Sequence, residues 1–211
     1  MFELSSKTQV NKKFKLAELY KLVGADKTVK GDAANILSVT LTNVLNEDTL
    51  NFSAKGEVKE IYVFEIVLSS KTIPSLFISA LDKVTNLHTI FVLRNSNKGM
   101  LYGAYKEYGE HGMKIGKYYS TDWVDYTPIA LPLTVACLED IYTAMIDELI
   151  PITARQGEST KDFVERYGEV VKLQKEVDKL QRMVDSEKQS KRRFELNDEL
   201  KRKKKELETL V

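Results

Sequence analysis

Glu65 is the residue of this chain whose position most suggests chemistry. It lies in the run EIYVFEIVL, Glu60 to Leu68, where strand alternation places it among apolar side chains such as Val63 and Val67. A charged carboxylate on such a face is costly unless it is paired or binds a metal ion. Two interpretations follow: Glu65 pairs with a buried Lys or caps a backbone group, or it belongs to a metal-dependent nuclease site.

The nuclease interpretation lacks one of its partners. Nucleases of the restriction-endonuclease type place a Lys two residues after such an acid to manage the attacking water, and here that position is Val67. The upstream acids Glu47 and Asp48 do not replace the missing Lys. We therefore favour a structural role for Glu65 and keep a divergent nuclease as the alternative.

A second candidate is a cluster of aromatic and basic residues. Six of the ten Tyr fall between Tyr102 and Tyr126. Interleaved aromatic and cationic side chains on exposed strands can grip single-stranded nucleic acid, although Tyr is also common in half-buried antiparallel sheets. The candidate nucleic-acid-binding residues are Tyr105, Lys106, Lys117, Tyr119 and Trp123.

The sequence contains no motif for a phosphate-binding loop, a serine nucleophile or a zinc site. There is no glycine-rich phosphate loop of either the GxxxxGK[ST] or the GxGxxG type, and no nucleophile elbow. The chain has two His and one Cys without paired-ligand spacing, which argues against a zinc site. We expect no metal and no cofactor, and the sequence favours a non-enzymatic role over an enzyme.

Composition restricts the classes of protein further. The 211 residues carry 32 basic and 31 acidic side chains, so the excess of positive charge typical of dedicated duplex-DNA binders is missing. The start of the chain resembles no signal peptide, and the longest mostly apolar run is far below the roughly 20 residues that span a bilayer. A single Cys allows no internal disulfide. We expect a cytoplasmic protein without a membrane segment.

Periodicity predicts an α+β fold for residues 1–156, with a mixed β-sheet and flanking helices. Two opening helices are expected, one stopping at Gly24 and one following Asp32 through Leu41. Helices are also expected over Ser75 to Val84 and Leu138 to Leu149. The expected strands are Glu60 to Leu68, His88 to Arg94, and a hairpin of Met100 to Tyr105 with Lys114 to Tyr119.

Residues 157–211 are predicted to form a coiled-coil or helical arm. Ser159 and Asp162 resemble a capping box at its start. Apolar residues then recur in two registers that are separated by the apolar-free stretch Asp185 to Arg193. The first register is Val170, Leu173, Val177, Leu180 and Val184, and the second is Leu196, Leu200, Leu207 and Leu210.

Two structures explain the change of register. One is a continuous helix of about 65 Å, at 1.5 Å per residue, that self-associates through residues 169–211. The other is an antiparallel hairpin that turns near Ser186 to Ser190, and the nearly equal length of its two arms makes us favour it. The run Lys201 to Lys205 is expected to spread around the helix as a solvated surface.

The chain as a whole resembles the bacterial domain-of-unknown-function family 4391. The segments that carry the resemblance are KTQVNKK (Lys7 to Lys13), VKEIYVFEIVL (Val58 to Leu68), LDKVTNLHTIFVL (Leu81 to Leu93), AYKE (Ala104 to Glu107), YYSTDW (Tyr118 to Trp123) and FELNDELKRKKKEL (Phe194 to Leu207). Where the family tends to show a Trp and a Lys-Leu pair, this chain has Leu41 and Val44-Leu45. The resemblance implies an accessory subunit encoded near helicases or DNA methyltransferases in restriction or phage-defence loci.

Together with the predicted helical arm, the resemblance implies a non-enzymatic interaction subunit of a bacterial DNA-processing assembly. Its expected partner is a protein, such as a helicase or a DNA methyltransferase. A divergent nuclease using Glu65 and a module that binds single-stranded nucleic acid are the alternatives.

Overall fold

A mixed β-sheet forms the centre of the N-terminal part of the chain. The computed structural model of the protein describes residues 2–50, 56–110, 112–127, 129–130 and 137–211. The chain divides into two compact units, Met1–Pro151 and Ile152–Val211. The first unit contains the elements β1 (Phe2–Glu3), β2 (Gln9–Phe14), α1 (Leu16–Leu22), α2 (Lys27–Asp32), β3 (Ile36–Leu45), α3 (Glu47–Leu50), β4 (Ile61–Leu68), α4 (Ser75–Thr85), β5 (His88–Asn95), β6 (Lys98–Gly109), β7 (Gly112–Ser120), β8 (Val124–Asp125), β9 (Ile129–Ala130) and α5 (Leu138–Asp147).

The sheet has the order β2-β3-β4-β5-β6-β7, with β8 paired to β6, so the described residues contribute seven strands to it. Among the described pairs of this sheet, only β4 and β5 are parallel, and α4 connects them. The other pairs of this sheet are antiparallel. β4 and β5 are central and largely apolar on both faces, as the sequence indicated, although Glu65 and Val67 of β4 are only partly buried. The predicted α+β class is confirmed.

The main core lies on the face of the sheet that α1, α2 and α4 cover. Phe64 of β4 stacks on Phe91 of β5 with their ring centroids 5.7 Å apart, and Phe77 of α4 is fully buried. The N-terminus of α4 is capped by Asp32, whose Oδ2 accepts hydrogen bonds from the backbone N–H groups of Leu76 and Phe77 at 2.9 and 3.0 Å. Residues of α2 and α4 are thereby tied together at the edge of the core.

The opposite face of the sheet is covered in part by α5. The hydroxyl of Tyr142 donates a hydrogen bond of 2.8 Å to the carbonyl of Ala104 in β6. A side chain at Gly103 would clash with this arrangement, because a Cβ there would lie 3.0 Å from methyl groups of both Ile90 and Leu149. Glycine therefore allows the segment that follows α5 to approach the sheet closely.

The predicted helix after Asp32 is wrong. Residues Ile36–Leu45 form β3, which pairs with β4 over most of its length. The β-branched residues in this segment fit a strand, and pairing with a buried neighbour outweighs the weak helical spacing. Asp32 does cap a helix, but that helix is α4, which lies 44 residues further along the chain.

The other predicted elements of the first unit are confirmed within a few residues at their ends. They are the helices α1, α4 and α5, the strands β4 and β5, and the hairpin of β6 and β7. Sequence reasoning missed β2, whose exposed, polar residues carry little apolar signal.

The second unit is a helical hairpin. Helix α6 (Thr160–Ser186) and helix α7 (Ser190–Leu210) are joined by the three residues 187–189. Val177, Val184 and Leu200 are buried between the helices, with Leu180, Leu196 and Leu207 packed around them. Both apolar registers are thus covered within one chain, and the hairpin, not the continuous helix, is the correct alternative.

A network of hydrogen bonds closes the base of the hairpin. Ser159 caps α6 as predicted, and Arg166 forms a bidentate pair with Glu158 at 2.7 and 2.8 Å. Arg166 also donates to the carbonyl of Leu210, and Arg155 donates to the carbonyl of Thr209, both at 2.6 Å. These bonds satisfy carbonyl groups in the last turn of α7. No later turn of the helix supplies N–H donors to these carbonyls. The hydrogen bonds from Arg166 and from the Arg155 backbone lower the pKa of Glu158 to about 2.

None of the helices in the described part of the chain has the length and apolar character that crossing a membrane requires.

Candidate functional site: a polar cleft beside Glu65

Glu65 lies in the middle of β4, on the face of the sheet opposite the main core. Its neighbours in register are Thr40 of β3 and Val92 of β5. The predicted orientation is correct, since Glu65 alternates with Phe64 and Ile66, which belong to the main core. The side chain is 18 % exposed, so this carboxylate is accessible to solvent although it belongs to a central strand.

Tyr126 and Arg94 are the partners of the carboxylate. The Tyr126 hydroxyl donates a hydrogen bond of 2.5 Å to Oε2 of Glu65, and Nη1 of Arg94 is 4.0 Å from the same oxygen. The guanidinium of Arg94 lies over the Tyr126 ring, 4.7 Å from its centroid. Burial and the hydrogen bond to Glu65 raise the pKa of Tyr126, so it remains a neutral donor. The sequence interpretation named a buried Lys or a backbone group as partner, and the structure supplies a Tyr and an Arg instead.

Glu65 and Tyr126 line an open cleft of about 260 Å³. Oε1 of Glu65 accepts no hydrogen bond from the part of the chain that the structure describes. The cleft can therefore offer a carboxylate oxygen, together with polar side chains, to a ligand that carries hydrogen-bond donors. Its other lining residues are Leu4, Gln9, Asn11, Thr42 and Asn43.

Irregular backbone shapes the wall of this cleft. The β2–β3 register shifts between Gln9 and Lys12, and the β3–β4 register shifts between Leu41 and Asn43. Asn11 has a φ of 50°, in the left-handed region that few residues other than glycine adopt. Such bulges re-aim side chains and are frequent beside functional sites. They place polar residues of the edge strand β2 and of its neighbour β3 beside the Glu65 carboxylate.

The metal-binding alternative finds limited support in the geometry. Among the described residues, no group of three or more His, Cys, Asp or Glu side chains is placed to hold a metal ion. The acids Glu47 and Asp48 belong to α3, and the position two residues after Glu65 is the half-buried Val67. A metal site at Glu65 would need ligands from the substrate or from water in addition to this carboxylate.

A second polar cluster is buried beneath α4, and sequence reasoning missed it. The side chains of Asp82 and Lys106 are completely inaccessible and form an ion pair. Lys106 also donates to Thr89 and, at 2.8 Å, to the carbonyl of Leu87. The Tyr118 hydroxyl donates to Asp82 at 2.7 Å. Asp82 could have been found, because it shares the apolar face of α4 with Phe77, Ile78 and Leu81.

Burial and the neighbouring charge have opposite effects on the pKa of Lys106 in this cluster. Burial lowers the pKa of the Lys106 ammonium, while the neighbouring Asp82 carboxylate acts to raise it. Burial, followed by the charge and the hydrogen bond of Asp82, raises the pKa of Tyr118. Every polar atom named here has a partner, which is the arrangement that makes a buried ion pair tolerable.

His88 is a core histidine whose hydrogen-bonding groups are only partly satisfied. The residue is 2 % exposed and its ring contacts the rings of Tyr142 and Tyr108, at centroid distances of 4.5 and 5.7 Å. However, its Nδ1 has no hydrogen-bond partner in the described part of the chain. Burial, with the charge of Lys106, lowers its pKa to about 4, so the ring is neutral at pH 7.

The five candidate nucleic-acid-binding residues do not form one exposed surface. The ammonium of Lys106 is buried against Asp82. Tyr119 is 8 % exposed, and Trp123 packs partly buried against the main core. Tyr105 is half-buried, with its ring stacked near that of Tyr142, so that only Lys117 is well exposed. Nucleic-acid binding through these residues stays a prediction, and they offer little exposed surface to a ligand.

The fold and the cleft define an α+β protein with a polar site on its sheet and a C-terminal helical hairpin. The chain belongs to the family described as Domain of unknown function (DUF4391), whose pattern matches residues 2–207. The resemblance noted from the sequence segments is therefore confirmed. No curated protein matches the chain, and no solved structure matches it.

Proposed function

We propose that this protein is a non-enzymatic interaction subunit of a cytoplasmic bacterial assembly that processes DNA, in restriction or phage defence. The observation that carries the proposal is the helical hairpin, whose helices of 27 and 21 residues bury their apolar residues against each other. Such an element needs no second chain to fold, and its remaining surface is available for binding. Its helices are about 40 and 31 Å long, at 1.5 Å per residue.

Self-association through residues 169–211 receives less support than binding to a different protein. The residues that would form the seam of a dimer, Val177, Val184 and Leu200, are buried within one chain. A dimer through the same seam would require the hairpin to open, and the bonds from Arg166 and Arg155 to the end of α7 oppose opening.

The test is co-elution with a defined partner. The purified full-length chain is mixed with a helicase or with a DNA methyltransferase of the same genome and applied to a size-exclusion column. We expect a stable complex with one of them, and no cleavage of plasmid DNA by the chain alone in magnesium. Separate elution from both proteins would refute the proposal.

A second candidate function is a divergent metal-dependent nuclease. The accessible Glu65 carboxylate at the open polar cleft favours it. The assay is cleavage of plasmid and single-stranded DNA with Mg²⁺ or Mn²⁺, comparing Glu65→Gln with Glu57→Gln, a matched change at an exposed acid before β4. Cleavage that only Glu65→Gln abolishes would replace the interaction proposal with this one.

A further inference from the structure

The side of α7 that faces away from α6 carries a stripe of positive charge. Leu200 is 3 % exposed and marks the side that faces α6. With about 100° per residue, Lys201, Arg202 and Lys205 lie about 100° to 200° around the helix from Leu200. Lys191 and Phe194 fall in the same arc, and we call these five residues the outer α7 face. The run Lys201 to Lys205 does spread around the helix, and three of its five residues fall in this arc.

The two remaining cations of this run are used inside the hairpin. Lys203 pairs with Glu176 of α6 at 3.2 Å and with Glu206 at 3.1 Å. Lys204 donates to the amide oxygen of Gln181 on α6 at 3.1 Å. The hairpin therefore separates the run into cations that hold the helices together and cations that point outward.

The outward cations are exposed and unpaired. Lys191, Lys201, Arg202 and Lys205 are exposed, and none of them has an ion pair with another described residue. The same arc includes one acid, Asp198, so its net charge is about +3 with 100° per residue. The four cations lie between Lys191 and Lys205, a rise of about 21 Å along the helix, which matches about six nucleotides at about 3.4 Å each.

Phe194 adds a feature that a solvated charged face does not need. Its side chain is 67 % exposed, the highest value among the large apolar residues that the structure describes. It contributes nothing to the apolar packing between the two helices. An exposed ring among unpaired cations provides both parts of a single-strand site, a stacking surface for a base and charges for the phosphates.

We propose that the outer α7 face binds single-stranded nucleic acid, with Lys191, Lys201, Arg202 and Lys205 on the phosphates and Phe194 stacked on a base. An acidic protein segment is the competing occupant. It fits less well, because a protein helix would bring apolar residues and this face offers a single ring to cover them. The proposal does not depend on the protein partner proposed above, and it uses none of the residues Tyr105 to Trp123.

The experiment measures fluorescence anisotropy of a labelled 20-nucleotide single strand with the full-length protein, from 20 to 200 mM salt. The test variant is Lys201→Gln/Arg202→Gln/Lys205→Gln. The matched control is Lys172→Gln/Lys175→Gln/Lys179→Gln, which removes the same charge from exposed positions on α6. We expect the test variant to bind about tenfold more weakly at 50 mM salt, and to reduce the slope of log K against log salt by about 2. The control should stay within about twofold of the wild type.

A second variant tests the stacking. Phe194→Ala should weaken single-strand binding by about tenfold and duplex binding by much less, because bases in a duplex are already stacked. The proposal is overturned if the wild type does not bind at 20 mM salt, or if the α6 control loses as much affinity as the test variant. It is also overturned if poly-glutamate binds and the oligonucleotide does not, since the face would then serve an acidic protein.

Discussion

At the scale of single residues, the Asp82–Lys106 pair is the most demanding feature of the first unit. Two charged groups lie beneath α4 with no access to water. Taking both from water costs several kcal/mol each, which the pair recovers only because Thr89, Tyr118 and the Leu87 carbonyl complete the hydrogen bonds. The cluster links α4 to three strands, so it selects one arrangement of the helix on the sheet.

Removing one member of this pair should therefore destabilise the fold strongly. We expect Lys106→Met to lower the free energy of unfolding by about 3–5 kcal/mol, because Asp82 would be left charged and buried. Urea unfolding followed by tryptophan fluorescence measures this, since Trp123 packs against the same core. The double variant Asp82→Leu/Lys106→Met should be closer to the wild type than Lys106→Met. A single variant within about 1 kcal/mol of the wild type would contradict this view.

His88 should make stability depend on pH between 6.5 and about 4. Its pKa is 6.5 in an unfolded chain and about 4 in the fold, so between these values the unfolded chain binds the extra proton. The contribution of neutral His88 is complete above pH 6.5 and is lost as the pH falls toward 4, by about 3 kcal/mol in all. Unfolding curves at several pH values measure it. In His88→Gln the slope between pH 6.5 and 4.5 should largely disappear, and an unchanged slope would assign it to other groups.

At the scale of elements, the hairpin shows how an imperfect apolar pattern can still make a good interface. Helix α6 carries an uninterrupted apolar stripe from Val170 to Val184, whereas Lys203 breaks the stripe of α7. Antiparallel packing brings Lys203 opposite Glu176, so the interruption becomes an ion pair. The interface is therefore specific to one register, because sliding the helices would leave Lys203 against apolar side chains.

Truncation to Ala should destabilise the hairpin strongly at Leu200 and hardly at all at Phe194. Leu200→Ala removes a side chain that is 3 % exposed in the seam, and should cost about 2–5 kcal/mol. Phe194→Ala removes a ring that is 67 % exposed, and should change stability by less than about 0.5 kcal/mol. Amide hydrogen exchange within α6 and α7 of the full-length protein measures both. Equal effects would mean that Phe194 has a packing role.

Periodicity correctly predicted the helices and strands whose apolar pattern is complete within their own sequence. The strands β4 and β5, apolar on both faces, and the helices α4 and α5, with one apolar stripe each, were read correctly. Strand β3 was not, because its assignment depends on pairing with β4, which lies more than fifteen residues further along the chain. The residue Asp32 shows the same limit: its type indicated a cap, but not which helix it caps.

At the scale of the whole molecule, the candidate site was predictable only in its central residue. Glu65 was conspicuous, because a charge among apolar neighbours needs a partner. Its partners Arg94 and Tyr126 lie 29 and 61 residues away, and no spacing in the sequence brings them together. The bulges that open the cleft depend on the register of β2 and β3, which the pattern of side chains does not specify.

The three-residue turn of the hairpin constrains how this family can change its length. Helix α7 packs antiparallel to α6, and its last carbonyls accept hydrogen bonds from Arg155 and Arg166. An insertion in one helix alone would therefore shift every later contact with the other helix. Lengthening by evolution should thus occur as paired insertions of similar size, one on each side of residues 187–189. Homologues with longer arms would then preserve the base of the hairpin and vary in how far its tip extends.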